Sequence, residues 1–157
     1  MQSLSAEAGV SVEVHVAHLV AFFEGLTADD LDRLAEFYDE QARFKDPFHE
    51  IRGLAAIRAV FAHMFDTLEA PRFAVHEVVA SGDQCFMTWV FLFRQARLGP
   101  TEQCIRGCTH FQFGADGRVT LHRDYWDAAE ELYEKLPLLG GLMRLLRRRA
   151  GASSTTH

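Results

Sequence analysis

"RFAVHEVVAS" (residues 72–81), "QCFMTWVFLFRQA" (84–96), "EQCIRGCTHFQF" (102–113) and "RVTLHRDYW" (118–126) decide the fold. All four are rich in β-branched and aromatic residues, the composition of half-buried strands. The pieces "SGD", "LGPT" and "GADG" divide them and read as turns. Connections this short make the four strands antiparallel neighbours. Strand alternation places His122, Asp124 and Trp126 on one face and Leu121, Arg123 and Tyr125 on the other.

Upstream of Pro71 the periodicity changes. "VSVEVHV" alternates like a strand, but Val12, Val16, Leu19, Val20 and Phe23 recur with helical spacing. This predicts a helix over residues 12–25 with Ser11 as N-cap. "TADDLDRLAEFYDE" opens on Thr27 with acids in its first turn, which predicts a second helix ending near Asp39. "ARFK" is a short strand. "LAAIRAVFAHMFDTL", after Gly53, repeats apolar residues on one helical face. "AAEELYEKL" closes with a helix, for which Asp127 is an N-cap. Helices gathered before a meander indicate an α+β class.

The 157 residues suit a single domain spanning 1–157, with an ordered core over about 11–149 and a disordered tail "GASSTTH". The net charge of −6 gives no overall pull toward nucleic acid. Thirteen phenylalanines are enough to line both a core and an apolar pocket. No stretch has the basic-then-apolar pattern of a signal peptide, and none is long enough to span a bilayer, so the expected location is cytoplasmic. Cys104 and Cys108 would lie roughly 13 Å apart along one strand, too far to bridge. With Cys85 they are expected to be free thiols.

The eight histidines form no metal signature, and no Gly-rich phosphate loop or nucleophile elbow occurs, so neither metal nor cofactor is expected. Leu138 to Arg149 sets leucines beside a run of arginines. We read it as a terminal helix packed on the body rather than as a membrane-contact element.

"RFKDPFHEIRG" (residues 43–53) holds an acid against a proline. Proline biases Asp46 toward extended geometry. Asp46 is therefore either a turn device accepting local backbone hydrogen bonds or a poised acid/base. His122 and Asp124, about 7 Å apart at the backbone, can share a ligand or form a polar pair.

The element order, with "FYDEQARFKDPFHEIRGLAAIRAVF" early and "CTHFQFGADGRVTLHRDYW" late, resembles the nuclear transport factor 2-like superfamily. That group includes ketosteroid isomerases, SnoaL-type polyketide cyclases and scytalone dehydratases. The resemblance implies a cone-shaped (cystatin-like) fold, in which a curved, mainly antiparallel sheet wraps against N-terminal helices and encloses an apolar pocket. It also implies a homodimer through the outer sheet face. By this resemblance Asp46 matches an isomerase general base, and Thr109, Phe111 and Phe113 face inward.

The oxyanion-hole positions of an isomerase correspond here to Phe22 or Phe23 and to Thr109. A phenylalanine offers no donor there, so a standard steroid isomerase mechanism is not expected. SnoaL-type cyclases use an acid in the late region, which "HRDYWD" fits better. The candidate catalytic residues are Asp46, His122 and Asp124. The candidate ligand-binding residues are Phe22, Phe48, Phe61, Phe65, Trp89, Thr109, Phe111 and Trp126. Three functions stand open: a cofactor-independent isomerase, cyclase or dehydratase acting on a hydrophobic carbonyl compound; a carrier of a lipid-like ligand; and a protein-interaction module.

Overall fold

The structure, a computed structural model, describes residues 3–132, with side chains from residue 12 onward. Helix α1 runs Ser3–Glu24. It begins well before the expected start, and Ser11 lies inside it rather than capping it. A 3-10 turn over Ala28–Arg33 leads into the single turn of α2, Leu34–Phe37. Thr27 caps as expected: its N–H and hydroxyl both donate to the Asp30 carboxylate, which holds Asp30 below the usual carboxylate range. The helix expected to reach Asp39 stops at Phe37. Tyr38 already belongs to strand β1, Tyr38–Lys45.

A short strand β2, Glu50–Arg52, turns back on β1, and α3, Leu54–Thr67, follows. Gly53, at the head of α3, has φ +100, a conformation glycine adopts without strain. The meander then comprises β3 (Glu69–Ser81), β4 (Gln84–Arg94), β5 (Gln103–Phe113) and β6 (Val119–Tyr125). Asp127 caps α4, Ala128–Glu131, accepting from the N–H groups of Ala129 and Glu130. The rest of the expected final helix, the Leu138–Arg149 segment and the tail lie outside the described residues.

The six strands form one curved sheet in the order β2-β1-β6-β5-β4-β3. Every neighbouring pair is antiparallel except β1 and β6, which run parallel with Phe44 opposite His122. Helices α1 and α3 supply Leu19, Phe23, Ile57 and Phe61 to the core, and the sheet meets them with Phe44, Met87, Phe111 and Val119, all buried. This is the expected α+β architecture.

The inward and outward faces of β5 and β6 are those the alternation predicts. Thr109, Phe111, Phe113 and His122 are buried, whereas Arg123 and Tyr125 are exposed. The three cysteines are free, as expected. No described helix is long and apolar enough to cross a membrane.

Candidate functional site: an apolar cavity with a buried polar chain

The space between α1, α3 and the sheet is not filled. A cavity of about 400 Å³ remains, within the range of small-molecule sites. Eight of the thirteen phenylalanines line it, together with Trp89 and Trp126. Alternation along β4 explains much of that wall, because Met87, Trp89, Phe91 and Phe93 all project to the inner face. Phe48, His63 and Thr67 line the cavity yet are exposed, so they mark where it meets solvent. At this rim Phe48 packs edge-on against Trp126, with ring centroids 5.5 Å apart.

One chain of polar side chains crosses the inner face of the sheet. The Trp89 indole N–H donates to Thr109 Oγ1 (2.7 Å), and the Thr109 hydroxyl donates to Asp124 Oδ1 (2.5 Å). His122 Nε2 lies 2.9 Å from the same Asp124 oxygen, and His122 Nδ1 lies 2.6 Å from the Tyr38 hydroxyl.

A carboxylate only accepts, so Nε2 of His122 carries a hydrogen. Burial first, and the charge of Asp124 second, push the Tyr38 hydroxyl well above its ordinary range. Tyr38 therefore keeps its proton, and its hydroxyl and His122 Nδ1 share one hydrogen bond. Both bonds to Asp124 end on Oδ1, and Oδ2 has no hydrogen-bond partner among the described residues.

The glycine at 107 makes this chain possible. Gly107 lies opposite Trp89 in the ladder, and a Cβ on it would come within 2.4 Å of the indole. The bare backbone lets the ring lie flat and reach Thr109.

Asp46 also lines the cavity, but its carboxylate is occupied. Oδ1 accepts from the backbone N–H of Phe48 (2.7 Å) and of His49 (2.6 Å), the pattern of an Asx turn. His49 Nδ1 lies 2.9 Å from Oδ2. The turn-device reading of Asp46 thus describes its geometry. Because the carboxylate accepts from Nδ1–H, a neutral His49 keeps its lone pair on Nε2, and His49 also lines the cavity.

Of the expected ligand-binding residues, Phe48, Phe61, Trp89, Thr109, Phe111 and Trp126 line the cavity. Phe22 and Phe65 do not. Phe22 turns away to stack on Phe37 at 4.3 Å, and its neighbour Phe23 takes the cavity position. Phe65 packs against the core from α3. Sequence reasoning missed His49, although the three-residue spacing from Asp46 on a turn was a usable signal. It also did not place Tyr38 in the site. The parallel strand pairing that delivers Tyr38 to His122 carries no local sequence mark.

A SnoaL-like domain family model matches residues 19–122, from the last turns of α1 into β6, and ends just before Asp124. The chain belongs to the SnoaL-like family.

Solved structures agree at the level of fold. A LEH-like epoxide hydrolase of M. tuberculosis is 24% identical with a TM-score of 0.61, covering 92% of this chain and 98% of its own. A putative SnoaL-like polyketide cyclase from Jannaschia sp. CCS1 is 18% identical with a TM-score of 0.65, covering 78% and 90%. TerC, co-crystallised with polyporic acid, is 17% identical with a TM-score of 0.64, covering 76% and 94%. No curated protein matches the sequence of this SnoaL-like domain. Among its described residues no group of three His, Cys, Asp or Glu could hold a metal ion.

Proposed function

We propose that this SnoaL-like protein binds a small hydrophobic carbonyl compound in the cavity and moves a proton on it, in a cofactor-independent isomerisation, cyclisation or dehydration. The observation that carries this reading is Asp124 Oδ2, a carboxylate oxygen with no hydrogen-bond partner among the described residues, on a residue that lines a largely aromatic cavity. Held at Oδ1 by Thr109 and His122, the carboxylate has one oxygen positioned and the other open to a ligand. It would take a proton from a carbon beside the carbonyl, which is general-base work.

His122 holds Asp124 in place and, with both ring nitrogens engaged, is a positioning residue. The sequence assigned the base to Asp46. We assign it to Asp124 instead, because the Asp46 oxygens already accept from His49 and two backbone N–H groups. Asp46 then orients His49, whose Nε2 lone pair would accept a hydrogen bond from a ligand hydroxyl.

Native mass spectrometry of the purified protein would identify a co-purifying ligand, and a turnover screen on enone and polyketide-type compounds would follow. Asp124→Asn is expected to lower kcat by roughly 10²–10⁴ while leaving ligand affinity within a few-fold. Full activity in Asp124→Asn removes Asp124 as base, and failure of every hydrophobic compound to bind removes the reading itself. In the same proposal the protein is a homodimer through the outer sheet face, where Val79, Phe86 and Tyr125 are exposed. Light scattering during gel filtration checks the mass.

A further inference from the structure

Two carboxylates line the cavity, Asp46 and Asp124, and among the described residues no lysine or arginine lies beside them on its wall. Basic side chains near this region face outward in ion pairs: Lys45 with Glu50, Arg58 with Asp32 and Arg72 with Glu102. The two acids also differ. Asp46 is satisfied by backbone N–H groups and His49, whereas Oδ2 of Asp124 has no hydrogen-bond partner among the described residues.

An anion entering such a site would exchange its hydration for aromatic walls. It would gain no counter-charge and would lie near a carboxylate that the apolar surroundings screen poorly. A hydroxyl or an ammonium would instead donate to the open oxygen, and aromatic faces such as those of Trp89 and Trp126 favour a cation.

Resting on the reading of the cavity as a ligand site, we propose that it selects by charge. It takes lipophilic molecules that are neutral or carry an ammonium group, and it rejects those carrying a carboxylate, phosphate or sulfate. This sets aside a fatty-acid carrier. Specificity here comes from repulsion as well as fit. The other titratable groups facing the cavity are His49, His63 and His122. All measurements are made at one pH, 8, so that these groups are in the same state throughout.

The test uses the full-length protein, low salt and the neutral fluorescent probe N-phenyl-1-naphthylamine. The probe is displaced in turn by 1-decanol, decylamine and decanoate, which share a chain and differ in the head. Decanol and decylamine should displace it, and decanoate should need about tenfold or more higher concentration. Asp124→Asn should bring decanoate within about threefold of decanol. Decanoate matching decanol on the wild-type protein overturns the proposal while leaving the cavity a ligand site. A gap that persists unchanged in Asp124→Asn overturns the role of Asp124 in it. If neither the probe nor any of the three binds, the ligand-site reading fails and takes this proposal with it.

Discussion

Replacing Gly107 by alanine tests whether the buried polar chain depends on a missing side chain. The added Cβ would sit 2.4 Å from two atoms of the Trp89 ring. Ordinary carbon contacts lie near 3.5–4.0 Å, so the indole must move by about 1 Å or more. It is a rigid bicycle packed edge-on against Phe73, with centroids 6.0 Å apart, and it has little room to yield. Overpacking of this kind costs about 1–3 kcal/mol. Losing the 2.7 Å bond to Thr109 adds about 0.5–1.5 kcal/mol. Together, about 2–4 kcal/mol corresponds to a fall in Tm of roughly 5–15 °C for a chain of this size. Urea and thermal unfolding followed by far-UV circular dichroism measure it. The same change in a Trp89→Leu background should cost less than about 0.5 kcal/mol, because the clash has gone. A Gly107→Ala protein as stable as the parent, or one equally destabilised in both backgrounds, refutes the account.

Further outcomes follow from the same side chains. Tyr38 holds its proton more tightly folded than unfolded, so its effect on stability is constant below its ordinary pKa near 10 and turns unfavourable as pH rises beyond it. Tyr38→Phe should flatten that alkaline fall in urea midpoints measured from pH 8 to 11. Burial pushes the Cys85 thiol up to about 11, and the residue is fully enclosed. Cys85 should therefore resist a thiol reagent at pH 8 in the native protein and react at once in denaturant, as mass-mapped labelling would show. Ala70 has φ +48 just before Pro71, so Ala70→Gly should be neutral or raise stability by up to about 1 kcal/mol in the same urea assay.

Much of this architecture is legible in the sequence because it rests on local patterns. The period-2 runs after Pro71 mark β3 to β6 and group the residues of each face, and the family resemblance says which face turns inward, which is how Thr109 is placed there. The Thr27 and Asp127 caps are equally local. What fails is what depends on distant partners. Helix α2 was over-extended because Phe37 and Tyr38 fit a buried helical face as well as the start of a strand, and only pairing with β6 decides between them. Phe22 and Phe23 sit on adjacent helix positions about 100° apart, so a resemblance that locates the pair cannot choose the one facing the cavity. Asp46 next to a proline has the same sequence whether it takes a proton or holds a turn. The hydrogen bonds of Phe48 and His49 make the difference.

The parallel pairing of β1 with β6 also bears on how the molecule comes into being. Tyr38 and His122 are 84 residues apart, and β6 is the last strand of the sheet. Until β6 is in place, β1 has only the three-residue β2 beside it and an open edge on its other side. Closing so long a loop is entropically slow. The Tyr38–His122 bond would thus be among the last contacts made. A chain stopped before Val119 would carry most of its aromatic residues without the strand that completes the cavity wall, which makes the unfinished protein a natural client for chaperones.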